Sequence, residues 1–215
     1  FLKPQDLFVD AGANIGIFTV LASGATGARA IAFEPDPFNY DYLTTNVRLN
    51  NLTALVDARQ AAVGSCAGKI HVTAGLGTEN YVVVGERPKD TVEVAMETLN
   101  SVDTTSGDVV VKIDVEGYEQ EVFAGAGDFF TRPAVQALII ERAGNADRFK
   151  QDENTLHARI RAMGFIPTAY APRTRTLRRI PDDAAGCNII YVRDLEAANA
   201  RLRQAKPYRF AGQEV

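Results

Sequence analysis

Short apolar runs alternate with helical patterns along this chain, and this alternation constrains the fold more than any other feature. The apolar runs cover residues 7–9, 30–33, 55–63, 109–113 and 137–140. Between the first three runs, apolar side chains recur at the spacing of a helix. Strands that alternate with helices predict a doubly wound α/β fold, in which helices cover both faces of a parallel sheet.

The middle and the end of the chain depart from this alternation. Residues 70–73 and 91–94 alternate with period two, so we predict an antiparallel β-excursion there, over about residues 64–107, in place of a crossover helix. Further elements are predicted as follows: helices over 118–124, 152–163 and 195–202, and closing strands over 165–170 and 187–192. No linker or repeat interrupts the patterns, so residues 1–215 are expected to form one domain.

Composition excludes several classes of protein. The formal net charge is −4, whereas a chain that binds phosphate backbones is usually basic, so no nucleic-acid partner is expected. No apolar run is long enough to span a membrane. Two cysteines are too few for a disulfide framework, which indicates a reducing compartment and a cytoplasmic protein. The chain begins with Phe1 rather than methionine, which we interpret as a trimmed start; its oligomeric state is left open.

The turn after the first strand has the layout of a nucleotide-binding loop. A dinucleotide-binding loop has glycine where this chain has Asp10, because a carboxylate there would repel a pyrophosphate. Asp10 suits an ammonium group instead, such as the amino end of S-adenosylmethionine, although a capping aspartate in a tight turn is the alternative. Gly12 would let the backbone approach a ligand, and the N–H groups of a helix that starts near Asn14 would receive a carboxylate. We assign these residues and Gly16 to the methionine end of that cofactor.

An acidic residue ends the second predicted strand. Glu34 follows Gly12 by about twenty residues, the offset at which an acid accepts hydrogen bonds from both hydroxyls of a ribose. It would also disfavour the 2′-phosphate of NADP, and a solvated acid at a strand end is the alternative. Ala61 and Ala62, at the end of the third strand, are expected beside the adenine.

The fourth strand leads into a run of charged residues. Lys112 and Asp114 are two residues apart and share a face of the sheet, so they either form an ion pair or belong to the reaction site. As catalytic candidates we take Lys112, Asp114 and Glu116, because a carboxylate at the strand mouth could orient or deprotonate a hydroxyl. Together with Glu141, the two acids could also form a divalent metal site, but a site without metal is preferred.

Other polar residues are given structural roles or weaker functional ones. His71 alternates with apolar residues in the excursion and is a weak candidate for a substrate contact, as is Glu141. His157 and Cys187 are expected to pack. The last connection contains four arginines, which form either a solvated loop or a contact to an anionic substrate: Arg173, Arg175, Arg178 and Arg179.

Taken together, these segments resemble the FkbM family of S-adenosylmethionine-dependent methyltransferases. The matching segments follow one another in family order and cover residues 8–16, 32–37, 50–51, 98–99, 112–119, 139–141 and 188–190. The resemblance implies a Rossmann-like sheet of about seven strands with the last one antiparallel. It also implies O-methylation of a hydroxyl on a small molecule or glycan, a sugar or a secondary metabolite. One departure is Asn100, where the family tends to have aspartate, so an ion pair or substrate contact of that aspartate is in doubt.

Two other functions remain open at this stage. A nicotinamide-dependent oxidoreductase would use a similar loop, although Asp10 speaks against it. A cofactor-binding module that has lost catalysis is the second alternative, which Asn100 and the trimmed start leave room for.

Overall fold

The computed structural model describes residues 1–75, 80–85, 88–141, 153–182 and 188–205, together with the backbone of 209–210 and 213–214. Helices alternate with strands over most of this range. The helices are α1 (Ile17–Thr26), α2 (Pro37–Leu49), α3 (Glu119–Gly125), α4 (Glu153–Ala162) and α5 (Leu195–Gln204). The strands are β1 (Leu7–Ala11), β2 (Arg29–Phe33), β3 (Val56–Arg59), β4 (Ala61–Val63), β5 (Gly68–Thr73), β6 (Val82–Val83), β7 (Thr91–Glu97), β8 (Val109–Ile113), β9 (Val135–Glu141), β10 (Ile166–Ala171), β11 (Thr176–Arg179), β12 (Asn188–Val192), β13 (Arg209–Phe210) and β14 (Gln213–Glu214).

Eight strands form the main sheet, in the order β11-β10-β12-β9-β8-β1-β2-β3. The five strands from β9 to β3 pair in parallel, whereas β12 is antiparallel to β9. The predicted parallel α/β sheet with an antiparallel strand near its end is therefore confirmed. The eighth strand, β11, lies in the arginine-containing connection that we predicted as a loop. The sequence gives little sign of this strand, since three of its four residues are polar and only Leu177 is buried.

Strand β1 lies at the point where the order of the sheet reverses. The chain first adds β2 and β3 on one side of β1 and later adds β8 and β9 on the other. All five residues of β1 and all five of β8 are buried, as expected for strands covered on both faces. A crevice forms at the carboxyl ends of the strands at such a reversal, and this is where ligands bind in open α/β sheets.

The predicted third strand is wrong in one respect, since residues 55–63 form two strands in two different sheets. β3 pairs with β2 in the main sheet, with Ala30 opposite Val56, while β4 pairs with β7, with Ala61 opposite Ala95. Only Gln60 separates the two strands. A nearly continuous apolar run gives no sign of the residue at which a strand leaves one sheet for another.

The excursion forms a second sheet in the order β4-β7-β5-β6, which confirms the predicted antiparallel strands. β5 and β7 pair in antiparallel register, with Val72 opposite Val92. Buried side chains from this sheet pack with Tyr118, which precedes α3: Ala62, Val72, Val82, Val94 and Met96. This packing holds the second sheet against the edge of the main sheet at which β8 ends.

The helices after α1 begin and end close to the predicted positions. Asp36 caps α2, since its carboxylate accepts a hydrogen bond of 2.9 Å from the N–H of Asn39, and Pro37 occupies the first turn as expected. The helix predicted over 152–163 spans Glu153–Ala162, and Asp152 lies outside the described residues. None of the described helices is long and apolar enough to cross a lipid bilayer.

Candidate active site

A cavity of about 400 Å³ opens at the carboxyl ends of β1, β2, β8 and β9. Its wall is formed by the loops after β1, β2 and β8, by β4, and by residues of β5 and β6. The cavity brings together nine of the residues predicted from the sequence: Gly12, Asn14, Glu34, Ala61, Ala62, Lys112, Asp114, Glu116 and Glu141.

Three predicted site residues do not line this cavity. His71 pairs with Val83 and Glu93, and its neighbour Val72 lines the wall, so the side chain of His71 points to the opposite face of β5. The structure therefore places His71 outside the cavity, and this geometry gives no support to a substrate contact of His71. Gly16 precedes α1 and contacts another helix, and Asp10 is fully buried beside α1.

The glycines of the first loop are required by packing within the chain. Gly12 has a φ of +82°, and a Cβ built on it would lie 1.8 Å from the backbone oxygen of Asp114. Gly16 has a φ of +86°, and its Cβ would lie 2.5 Å from Cδ1 of Leu43 in α2. The space that a Cβ of Gly12 would need is filled by the backbone of Asp114, which follows β8, while Gly12 itself lines the cavity, so its approach to a ligand stays a prediction.

The helix after this loop begins later than predicted. α1 begins at Ile17, with Gly16 as its N-cap, rather than near Asn14. The backbone N–H groups of residues 12–16 all donate hydrogen bonds within the chain. The N–H groups left for a ligand carboxylate are therefore those of the first turn of α1, where Ile17 and Phe18 reach the cavity wall.

Glu34 ties two loops of the site together. Its Oε2 accepts a hydrogen bond of 2.8 Å from the N–H of Asn14, and its Oε1 accepts one of 2.9 Å from the N–H of Asp36. Burial raises the pKa of Glu34 to about 7. The side chain of Asn39 makes a third hydrogen bond with this carboxyl group. A carboxylate can accept about four hydrogen bonds, so Glu34 can accept one more from a ribose hydroxyl.

Asp10 has one satisfied and one unsatisfied oxygen. Its Oδ2 accepts a hydrogen bond of 2.6 Å from Thr19 Oγ1, whereas Oδ1 is buried without a hydrogen-bond partner among the described residues. Burial raises the pKa of Asp10, and the positive charge of Lys112 opposes this shift. An unpaired buried carboxylate oxygen is costly. Because Asp10 is fully buried and does not line the cavity, its contact with the amino end of the cofactor stays a prediction.

The ion pair that we considered between Lys112 and Asp114 is present. Lys112 Nζ lies 2.7 Å from Asp114 Oδ2 and 4.9 Å from the centre of the Phe18 ring, and only 3% of Lys112 is exposed. Asp10 lies directly opposite Lys112 on β1. The charge of Lys112 is therefore shared between two carboxylates, one below the cavity and one on its wall.

Three carboxylates crowd the wall beside this pair. Carboxylate oxygens of Asp114, Glu116 and Glu141 lie within 4.8 Å of one another. Asp114 and Glu141 are brought side by side because Ile113 and Ile140, which precede them, are partners in the parallel strands β8 and β9. Burial, a hydrogen bond with Asp114 and the negative charges of its neighbours raise the pKa of Glu141 to about 8.

A proton or a cation would each relieve this crowding, and the raised pKa of Glu141 means that a proton does so at neutral pH. The absence of a metal from the reaction therefore stays a prediction. Sequence reasoning missed Glu119, whose buried Oε1 accepts a hydrogen bond of 3.1 Å from the N–H of Gly117. That bond shapes the turn in which Glu116 has a φ of +55° and reaches the cavity.

Apart from Ala61 and Ala62, the apolar part of the wall was not predicted. The start of α1 and the excursion contribute Ile17, Phe18, Val72 and Val82 to it. The alternation in residues 70–73 could have placed Val72 on one face of a strand, but it does not show which face meets the main sheet.

The remaining candidates lie away from the cavity. Arg178 and Arg179 are exposed on β11, the outermost strand of the main sheet, and Arg175 donates a hydrogen bond of 2.9 Å to the carbonyl oxygen of Leu202. His157 is buried and hydrogen-bonded to the Tyr191 hydroxyl, so it packs as expected. Cys187 lies outside the described residues.

Asn100, the departure from the family pattern, does not reach the cavity either. Its Oδ1 accepts a hydrogen bond of 2.9 Å from the guanidinium of Arg132, which also pairs with Asp128. In this chain, Asn100 therefore makes a structural contact near α3 and does not contact a substrate in the cavity.

Comparison with known proteins identifies the family. Residues 10–167 match the model of the methyltransferase FkbM domain. The chain is 31% identical to the hexuronic acid methyltransferase AglP of Haloferax volcanii over 154 residues, which are 67% of this chain and 59% of that protein. It is 40% identical to the methyltransferase sdnD of Sordaria araneosa over 73 residues, 34% of this chain and 28% of that protein.

A solved structure agrees with this match. The crystal structure of methyltransferase FkbM from Methylobacillus flagellatus is similar over 89% of this chain and 44% of that one, with a TM-score of 0.60 at 18% identity. The aligned regions thus span less than two thirds of these proteins. The chain belongs to the FkbM methyltransferase family and has its Rossmann-like fold. Membership of a methyltransferase family argues against the alternative of a nicotinamide-dependent oxidoreductase.

Replacement of Gly12 by alanine should unfold or strongly destabilise the protein, because the new Cβ would overlap the Asp114 carbonyl. Gly75 is a matched control, since it has the same φ of +82° and no atom within 4 Å of its ideal Cβ. We expect Gly75→Ala to cost about 1 kcal/mol and Gly12→Ala about 3 kcal/mol or more, as measured by urea unfolding. Equal losses would contradict the close packing of the loop against β8.

Glu141→Gln should flatten the dependence of stability on pH. Because the pKa of Glu141 is raised from 4.5 to about 8, the folded protein keeps a proton that the unfolded chain releases. This contribution to stability is complete below the unfolded pKa and is lost as the pH rises toward the folded pKa. Urea unfolding between about pH 5 and pH 8 should show a smaller loss in Glu141→Gln than in the wild type.

The control for this measurement is Glu196→Gln, which makes the same chemical change on the exposed surface of α5. It should follow the wild type across the pH range. A slope in Glu141→Gln equal to that of the wild type would contradict the assignment of the raised pKa to this residue.

Proposed function

Starting from membership of the FkbM family, we propose that this methyltransferase acts on oxygen and methylates a hydroxyl of a sugar or a secondary metabolite. The observation that supports this most directly is the group of carboxylates on the cavity wall, at the ends of β8 and β9. Carboxylates accept hydrogen bonds from hydroxyl groups and can take up their proton. A sugar substrate is further suggested by the name of the AglP relative, a hexuronic acid methyltransferase.

The cofactor would occupy the part of the cavity between the loops after β1 and β2. When bound, S-adenosylmethionine supplies a methyl group that its sulfonium has already activated. The first turn of α1 would donate hydrogen bonds to the carboxylate of the cofactor. Asp10 would accept a hydrogen bond from the amino end once ligand binding uncovers its buried Oδ1. Glu34 would hold the ribose, and Ala61 and Ala62 would offer a flat apolar surface to the adenine.

The reaction side of the cavity would be formed by the charged residues after β8. Asp114 and Glu116 would accept hydrogen bonds from the acceptor hydroxyl and orient its oxygen. Lys112, 2.7 Å from Asp114, would hold that carboxylate in place. Since the methyl donor is already activated, much of the rate enhancement would come from holding the acceptor in position.

The placement of the cofactor predicts different effects for its two ends. In calorimetry with S-adenosylhomocysteine, Asp10→Asn should weaken binding by about tenfold or more, because a hydrogen bond to a charged group is lost. Binding of 5′-methylthioadenosine, which lacks the amino-acid end, should not change in Asp10→Asn. Glu34→Gln should weaken the binding of both ligands. Equal weakening of both ligands by Asp10→Asn would contradict its assignment.

Transfer to oxygen predicts a specific product. Incubation with S-adenosylmethionine and a panel of sugars and phenols should give S-adenosylhomocysteine and a methyl ether, both identified by mass spectrometry. Asp114→Asn should lower kcat by about a hundredfold, the usual size of acid–base and orienting effects. Asp128→Asn, which removes an exposed carboxylate near α3, is the control and should keep wild-type kcat. Methylated nitrogen or carbon would contradict the proposal, and cofactor binding without any product would favour the inactive module.

A further inference from the structure

We propose that the acceptor of this enzyme is uncharged or positively charged, as a neutral sugar or an amino sugar is, and that the cavity rejects acceptors bearing a carboxylate or phosphate. This inference rests on the proposed function, because it concerns the acceptor of the same site. It separates this chain from its relative AglP, which is named for a hexuronic acid, an anionic sugar at neutral pH.

The balance of charge on the wall is the first support. Among the described residues that line the cavity, four are acidic, Glu34, Asp114, Glu116 and Glu141, and one is basic, Lys112. Three of the acids lie with carboxylate oxygens within 4.8 Å of one another. A further carboxylate beside them would meet like charges in a partly buried cavity, where water screens such charges poorly.

The single basic residue is not available to an anion. Lys112 Nζ already lies 2.7 Å from Asp114, and the buried Asp10 lies opposite it on β1. With 3% of its surface exposed, Lys112 offers almost no area to an incoming ligand. Within the part of the chain that the structure describes, an anionic acceptor would therefore have to break this ion pair in order to be neutralised.

Three of the four arginines of the last connection lie away from the cavity. Arg178 and Arg179 lie on β11, which β10, β12 and β9 separate from β8. Arg175 is bound to the carbonyl oxygens at the end of α5. The contact of this run to an anionic substrate, which the sequence left open, therefore finds no support in the fold.

The state of the wall without a ligand agrees with this inference. Asp114, Glu116 and Glu141 repel one another before any ligand binds, because their carboxylate oxygens lie within 4.8 Å of one another. An ammonium group would relieve the same repulsion, and a neutral hydroxyl would add no charge. An added anion would increase it.

The test uses sets of three sugars that share a carbon skeleton and differ in charge. Glucose, glucosamine and glucuronate form one set, and galactose, galactosamine and galacturonate form the other. Binding to the full chain loaded with S-adenosylhomocysteine is measured by saturation-transfer NMR, and turnover is measured with S-adenosylmethionine. Both measurements are made with a chelator and again with added Mg²⁺.

We expect the neutral and amino sugars to exceed the uronates by about tenfold or more in affinity or kcat/KM, since like-charge contacts are strongly unfavourable. Glu141→Gln and Glu116→Gln should each narrow this gap by raising the affinity or kcat/KM for the uronates. Glu196→Gln, the matched change on the surface of α5, should leave the gap as it is in the wild type. Thermal melting shows whether each variant is folded. Glu141→Gln and Glu116→Gln test the inference separately, so that if one of them fails to fold, the other still tests it.

Three outcomes would overturn the inference: a preference for the uronates with or without Mg²⁺, a gap that neither wall variant narrows, or binding of none of the three classes. Preferential binding of neutral and amino sugars without any turnover would instead support the inference and count against the transfer of methyl to oxygen. The failure of one proposal can thus be told from the failure of the other.

Discussion

The close approach between the first loop and the end of β8 is the contact on which the site depends. The backbone oxygen of Asp114 fills the space that a side chain at residue 12 would need. Because Gly12 has none, the loop assigned to the cofactor and the acidic wall meet without a gap. Strand β1 pairs with β2 on one side and β8 on the other, so the same loop is bordered by Glu34 and by Asp114. A methyl donor and an acceptor would be brought together by that meeting of two strand ends.

Much of this arrangement can be predicted from the sequence because a parallel sheet gathers the residues that follow its strands. Glu34, Asp114 and Glu141 each end or follow an apolar run, and all three line one cavity. The prediction that residues after parallel strands meet in one crevice needs only the order and the direction of the strands. It does not extend to His71, because alternation shows that neighbouring residues face opposite ways but not which face is inward.

Other features depend on partners that are distant in the chain. The break between β3 and β4 is set by pairing of β4 with β7, more than thirty residues later, and nothing in residues 55–63 marks it. The start of α1 at Ile17 follows from the positive φ of Gly16, which lies against Leu43 of α2. The burial of Asp10 depends on α1, since Thr19 covers one of its oxygens. Local patterns describe elements well, but they do not contain these contacts between elements.

The site also has an energetic cost that the rest of the fold has to offset. Burial raises the pKa of Asp10, Glu34 and Glu141, which means that each is more costly to ionise in the folded protein than in water. Compensating burial comes from the apolar strands on both sides of β1. It also comes from buried phenylalanines, among which the rings of Phe123 and Phe130 stack with their centres 4.1 Å apart. Such a division between a stable core and a strained site is common where binding requires preorganised charges.

The pairing of β4 with β7 has a consequence for how this enzyme could diversify. The two strands close the base of the second sheet next to the main one, so the β5–β6 hairpin forms a loop with fixed ends. Insertions or deletions beyond that base would leave the register of the main sheet unchanged, and lengthening a closed loop costs little free energy. The hairpin contributes Val72 and Val82 to the cavity wall. Changes in this hairpin could therefore alter which acceptor is preferred over the course of evolution, while the residues assigned to the methyl donor stay the same.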